Sequence, residues 1–263
     1  MMKRVLAIPY LLWMVVFVIL PISFMIYYSF NDMSGNLTLQ NYAEFLSSNY
    51  LKMTLNSFWY AFLITVITLL ISYPLALVIS RLKHKTFWLL IIIIPTWINI
   101  LLKTYAFIGI LGINGVVNTV FEMIGLTKIQ LLFSDFAFIT VAVYIFIPFM
   151  VLPIFNSING INKNLISASY DLGASKWETL TRVIFPLSLE GVKSGIQITF
   201  IPALSLFMLS RLVAGNKVVT LGTAIEQQFL INENWGMGST VGVFLILFMV
   251  FVMLVTRTKK ESV

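Results

Sequence analysis

Six long runs of apolar residues, each free of Asp and Glu, dominate the pattern along the chain: residues 5–30, 55–80, 87–111, 136–158, 195–213 and 238–255. Crossing a bilayer as a helix takes roughly 20 apolar residues, so each run predicts a transmembrane helix. The polar segments between the runs are short, except for residues 159–193. The pattern therefore predicts one all-α integral membrane domain over residues 1–263, with six spans and a single long polar loop. The first run follows a short basic start, as a secretory leader would. It is too long for one and has no small-x-small cleavage signal, so a retained helix is expected.

Basic residues orient these spans. Lys3, Arg4, Arg81, Lys83, Lys85, Lys163, Lys176, Arg182, Lys193, Arg257, Lys259 and Lys260 all fall on one side. Only Lys52, Lys103, Lys128, Arg211 and Lys217 fall on the other. Basic loops stay cytoplasmic, which predicts that both termini lie inside the cell. An even number of spans requires the same arrangement.

Composition narrows the function. Hydrophobic residues make up 59% of the 263, charged residues 10%, and the formal charge is +7. The mean hydropathy is +0.96. Soluble domains carry about 25% charged residues, which excludes an ordinary soluble enzyme, a disordered tail or a nucleic-acid binder. The absence of cysteine removes disulfides, thiolate metal sites and cysteine nucleophiles. Pro9, Pro21, Pro74, Pro95, Pro148, Pro153 and Pro202 fall inside the first five runs. Each removes a helix hydrogen bond, and kinked helices suit the wall of a cavity.

No phosphate-binding G-x-x-x-x-G-K-[ST] loop is present, so the chain has no such means of hydrolysing a nucleotide. His84, the single histidine, sits in a basic turn and makes no metal site. The lack of acids in the spans disfavours a proton-coupled pump. Lys103 and Arg211 lie near outer span ends, where snorkelling to the interface is the plain expectation.

Residues 159–193 carry the clearest local signals. Asn164 is placed to cap a short helix with Leu165, Ala168 and Leu172 on one face. Gly173 supplies a left-handed stop. Ser175 and Glu178 have the spacing of a capping box that opens a second helix, with Trp177, Leu180, Thr181 and Ile184 on its apolar side. Pro186 is expected to limit that helix. Asp171 and Glu178 offset Lys176 and Arg182, so the pair suits a protein partner better than a lipid surface.

At these residues the chain resembles bacterial ABC importer permeases. Their cytoplasmic loop reads Glu-Ala-Ala, three residues, Gly, nine residues, Ile, one residue, Leu-Pro. Here SASYDLGASKWETLTRVIFP, residues 167–186, keeps Ala168, Gly173 and Pro186. Val183 and Phe185 stand for Ile and Leu, Ser167 for the Glu, and Ser169 for the second Ala. The resemblance extends over nearly the whole chain to the permeases of spermidine/putrescine importers. Residues 103–118, 144–158, 200–215 and 225–239 carry it, with Arg211 where many relatives have an acid and Ala214 where they have a glycine.

The resemblance implies a type I importer permease of MetI-like architecture in a bacterial cell membrane. Such a chain forms half of a pore with a second permease, above two ATPase subunits, and receives substrate from an extracytoplasmic polyamine-binding protein. ATP and Mg are then bound by the partner ATPase, with no cofactor or metal in this chain and no catalysis by it. The ATPase-coupling residues would be Ser167, Ala168, Tyr170, Asp171, Leu172, Gly173, Ala174 and Trp177. Polyamines need carboxylates, carbonyls or aromatic faces. The path candidates are Trp59, Tyr60, Trp97, Tyr105, Tyr144 and Glu226. A permease for another small solute, or a stand-alone secondary transporter or channel, remains the alternative.

Overall fold

The computed structural model describes residues 2–255 of the chain, with side chains for 8–254. The terminal cations Lys3, Arg4, Arg257, Lys259 and Lys260 fall outside the described side chains. The described residues form helices and no strands, apart from one bridge between Asn31 and Leu37. Five stretches are long and apolar enough to cross a membrane, Ile100–Met123 among them, or six when the bent pair Lys176–Ala203 and Phe207–Val213 counts as a single span.

In chain order, α1 is Ile8–Ser29, α2 Gln40–Phe45, α3 Ser48–Arg81, α4 Lys85–Trp97, α5 Ile100–Leu111 and α6 Val116–Met123. They are followed by α7 Asp135–Asn159, α8 Lys163–Asp171, α9 Lys176–Ala203, α10 Phe207–Val213, α11 Leu221–Glu226 and α12 Trp235–Val255. Polar side chains start several of them. The Asn99 side chain caps α5 by accepting from Leu101 N, and Ser134 caps α7 by accepting from Ala137 N. Thr220 likewise accepts from Thr223 N at the head of α11. Each such cap satisfies an amide that the first turn leaves unpaired.

α7 is the central post. It packs on α3 and α9, which also touch each other, and 61% of its most apolar window is buried. The α7–α9 contact is close because α9 presents Gly191 and Gly195 on one stripe. A Cβ at Gly191 would lie 2.5 Å from Pro153 O, and one at Gly195 would lie 2.6 Å from Met150 Sδ. This G-x-x-x-G spacing lets two membrane helices approach closely. By contrast, none of the corresponding window of α1 is buried; the second half of α1 contacts α12.

Two of the expected spans change shape. The run 87–111 is not one helix, and the membrane-length stretch here is Ile100–Met123, with Lys85–Trp97 too short to be counted as a span. α4 tightens over Ile94–Trp97, Ile98 is extended, and Asn99 restarts the chain as α5. Pro95 has no amide to continue the helix, and the Asn99 cap favours a new start. The run 195–213 is displaced as well. α9 begins at Lys176 and ends at Ala203, and α10 turns away by 63°. The corner is held from outside. Gly222, in the first turn of α11, sits so close that a Cβ would be 2.5 Å from Ser205 O, and Leu221 N donates to Ser57 Oγ of α3 at 2.7 Å.

Pro186 does not limit the second loop helix. The helix runs through it by widening over Leu180–Ile184, where Phe185 N donates to Leu180 O. One extra residue in that turn accommodates the missing proline amide. The second short helix expected in the loop is thus the first part of α9.

Candidate coupling and substrate-path sites

The loop between α7 and α9 folds as a rigid elbow. Asn162, rather than Asn164, caps α8, its side chain accepting from Asn164 N. At the other end Gly173 takes φ +82. Gly173 N donates to Tyr170 O at 2.9 Å and Ala174 N to Ser169 O at 3.0 Å. These two bonds make a Schellman stop, with glycine in the left-handed position. Ser175 N then donates to Glu178 Oε2 at 2.9 Å, and Glu178 N to Ser175 Oγ at 3.2 Å, which completes the capping box. Arg182 lies one turn further on, 3.9 Å from Glu178.

α8 has two working faces. Ile166, together with Ile161 and Leu180, packs on the buried cluster of Ile79, Ile154, Ile158 and Ile184, where α3, α7 and α9 meet. Ser169 reaches Thr179 of α9, hydroxyl to hydroxyl at 2.9 Å. Leu165, Ala168 and Leu172 point away, all exposed, with Leu172 at 89% and the nearby Trp177 at 70%. The face expected to be apolar is therefore the uncovered one. Ser167, Tyr170, Asp171, Gly173 and Ala174 lie on the same elbow, Ala174 half-buried and the rest exposed.

At the opposite end of the bundle the path candidates do not converge. Trp59 stacks on Phe62 of its own helix, and Trp97 is 82% exposed at the α4–α5 break. Tyr105 is exposed on α5. Tyr60 meets the edge of Phe138, and Tyr144 meets Phe107 with ring centres 4.9 Å apart. Only Glu226 lines a described cavity, of about 340 Å³, together with Asn216, Thr223 and Gln227. Its carboxylate is engaged by Arg211 Nη1 at 2.9 Å. Arg211 therefore does not simply snorkel to the interface. The pair is fifteen residues apart and forms only because α10 and α11 fold back on each other, so no local spacing signals it. Lys103 does not snorkel either, being 8% exposed inside α5.

A second cavity, of about 290 Å³, is lined by Tyr28, Asp32, Glu233 and Trp235 among others. Asp32 Oδ1 accepts from Ser34 N and Asn36 N at 2.8 Å each. The Asn36 amide is the main cause that holds the Asp32 carboxyl below the usual aspartate range. No group of His, Cys, Asp and Glu able to hold a metal is found among the described residues.

Membrane-length helices around a post that carries Pro148 and Pro153, with a braced elbow at one end and cavities with carboxylates at the other, make a helical bundle of the kind that spans a membrane. The chain belongs to the family of binding-protein-dependent transport system inner membrane components, which it matches over residues 38–258. It is 32% identical over 253 residues to the spermidine/putrescine transport system permease protein PotB of Haemophilus influenzae, covering 92% of this chain and 88% of that one. It is 35% identical over 253 residues to PotB of Escherichia coli K12, covering 92% of each. Among solved structures, it superposes with a TM-score of 0.83 on a chain of a bacterial alginate ABC transporter, crystallised with a periplasmic protein bound to an alginate pentasaccharide. That match has 18% identity and covers 97% of this chain and 92% of the other. The expected class is thereby met: an all-helical ABC importer permease, homologous to polyamine permease subunits and belonging to a family of membrane transport components.

Proposed function

We propose that this chain is a permease subunit of an ATP-driven importer of spermidine or putrescine. The observation that carries the reading is the identity of 32% and 35%, over 92% of the chain, to two permeases of spermidine/putrescine systems. A second permease completes the pore, two ATPase subunits dock beneath it, and an extracytoplasmic binding protein delivers the polyamine. Both termini are cytoplasmic. ATP and Mg bind to the partner ATPase, and this chain contributes the path and its coupling to the motor.

The elbow has the properties such coupling needs. A loose loop would absorb the motion of the ATPase, whereas α8 is fixed at both ends by its cap and its glycine stop. Leu165, Ala168, Leu172 and Trp177 form the contact surface, and Ser167, Tyr170, Asp171, Gly173 and Ala174 shape it. For the substrate, the outer cavities offer carboxylates and aromatic rings, the groups that suit an ammonium. Trp59, Tyr60, Trp97, Tyr105 and Tyr144 are assigned to the path on the same chemical ground. An interior-negative potential favours entry of a cation by about 2.3 kcal/mol per charge per 100 mV.

The test is the assembled complex with its ATPase, partner permease and binding protein in proteoliposomes. Labelled spermidine or putrescine should accumulate only when ATP is supplied. Uptake of an amino acid or sugar with no uptake of polyamine would refute the assignment while leaving the permease class intact.

A further inference from the structure

Under the elbow lies a cavity of about 620 Å³, whose lining shares Ser167 and Tyr170 with the coupling residues proposed above. Its walls carry Arg81 at the end of α3, Lys83 in the following turn, Lys85 at the head of α4, and Lys163, Ser167 and Tyr170 of α8. No carboxylate lines it. Lys85 Nζ donates to Asn159 Oδ1. None of the four cations has an acidic partner among the described residues, where the ion pairs are Lys128–Glu122, Arg182–Glu178 and Arg211–Glu226. Four like charges converging on one hollow repel one another, and an anion would relieve that repulsion.

The position of the cavity identifies the anion. The membrane-length α3 ends at Arg81 and the shorter apolar α4 begins at Lys85, so the hollow lies at the end of the bundle where α3 leaves its apolar stretch. Directly along α4, Phe87, Trp88 and Ile91 are exposed. The cavity itself pairs these cations with the apolar Leu77, Leu82, Ile158, Ile161, Ile166 and Ile184, a mixed lining that matches an amphiphile with a phosphate head. At 100° per residue, Lys163, Ser167 and Tyr170 occupy the side of α8 opposite Leu165, Ala168 and Leu172. The uncovered apolar stripe of α8 and the cations of the cavity therefore lie on opposite sides of one helix, with Ser167 and Tyr170 on the cavity side.

We propose that this cavity binds the phosphate of an anionic phospholipid, tying the coupling helix to the cytoplasmic leaflet. The inference rests on the membrane placement of the permease and not on its being a polyamine permease. Basic pockets at the cytoplasmic ends of spans attract such headgroups. The lipid would bridge Arg81 and Lys83 on the span ends to Lys163 on α8. It would thus fix the height of the elbow relative to the bilayer.

The assembled transporter, delipidated and then offered equal phosphatidylglycerol and phosphatidylcholine, tests this by native mass spectrometry. Wild type should retain phosphatidylglycerol in preference, and millimolar inorganic phosphate should not displace it. Each lysine near such a headgroup is good for about fivefold, so the Lys83→Gln/Lys163→Gln variant should retain it about 30-fold less well. Equal retention of the two lipids by wild type would overturn the proposal without recourse to any variant. So would displacement by inorganic phosphate, which would indicate a small-anion site. Release of the ATPase from the double variant with lipid retention unchanged would assign the cations to a protein partner instead. Arg81→Gln offers an independent check if the double variant assembles poorly, and unchanged retention there would also overturn the proposal. These readouts do not depend on which solute is transported.

Discussion

The hydroxyls of Ser169 and Thr179, 2.9 Å apart, tie α8, the proposed coupling helix, to the first turn of α9. Ser169 Oγ also donates to Ile166 O at 2.7 Å, so Thr179 must be the donor in the pair. Thr179 is fully buried. The two truncations should therefore differ. Thr179→Val removes the donor and leaves Ser169 bonded to its own helix, at about 1 kcal/mol. Ser169→Ala strands a buried hydroxyl, at about 1–3 kcal/mol, even though alanine is the residue of the family pattern at this place. Combining both changes should restore much of the loss. Thermal midpoints of the purified complex, together with ATPase activity stimulated by loaded binding protein, measure the cycle. Equal effects of the two single variants would show that the link is not organised this way.

Gly173 should be sensitive to backbone strain alone. Its φ is +82, and a Cβ built there would meet nothing within 4 Å. Substitution thus costs the left-handed penalty, about 1–2 kcal/mol for an ordinary L-residue, with no clash added. Stimulated ATP hydrolysis should fall in the order Gly, Asn, Ala, Val, because Asn tolerates this region and valine is stiffest. Gly173→Val should lose transport through a misplaced elbow. Full transport by a well-expressed Gly173→Val protein would remove the elbow from the coupling route.

The local chemistry of this elbow was legible in the sequence. The glycine stop and the Ser175–Glu178 box depend on neighbours within a few residues, and both form as the spacing predicts. The cap slipped by two residues because both asparagines, Asn162 and Asn164, suit that position. What stayed hidden depends on distant partners. Hydropathy saw 87–111 and 195–213 as unbroken, since a proline or a serine corner hardly changes an apolar average. The corner after Ala203 is set by Gly222 and Ser57, which are distant in sequence. Leu165, Ala168 and Leu172 were readable as one apolar stripe. Only the packing of Ile166 on the bundle shows which face of α8 stays free.

The α7–α9 seam predicts an order of tolerance. A Cβ at Gly191 would press on the backbone of Pro153 at 2.5 Å, whereas one at Gly195 would press chiefly on Met150 Sδ at 2.6 Å. A thioether can rotate aside, and a carbonyl inside a helix cannot. Gly191→Ala should cost about 1–3 kcal/mol and Gly195→Ala less. Thermal unfolding of the complex in detergent would rank them, and the reverse order would contradict this packing.

The Arg211–Glu226 pair should govern any cation that reaches the outer cavity. Arg211 Nη1 is 2.9 Å from Glu226 Oε1, so the carboxylate already has a cation beside it. Arg211→Gln leaves Glu226 in place with no internal competitor. If Glu226 takes an ammonium of the substrate, this variant should raise the apparent affinity for polyamine, and Glu226→Gln should lower it. The effect should shrink in high salt, because Arg211 is largely exposed. Uptake kinetics in proteoliposomes would measure both changes. A parallel loss in the two variants would mean that the pair holds α10 to α11 and does not touch substrate.

Orientation yields the last prediction. Lys83, Lys85 and Lys163 share one cavity, which places the α3–α4 turn and the elbow at the same end of the bundle. Gly35 and Glu233 line another cavity, so the turn after α1 and the start of α12 also lie together. Which of these ends is cytoplasmic follows from charge, since the first gathers the basic loops. The chain has no cysteine, so single cysteines report without background. Cysteine placed at His84 or Lys176 should react with a membrane-impermeant maleimide only after the cells are opened. Cysteine at Asn36 or Lys217 should react in intact cells. All four positions are exposed or half-buried, so a silent site cannot be blamed on burial alone. Labelling at position 176 from outside would invert the topology. It would place the elbow where no cytoplasmic ATPase reaches it, and the coupling role would fall with it.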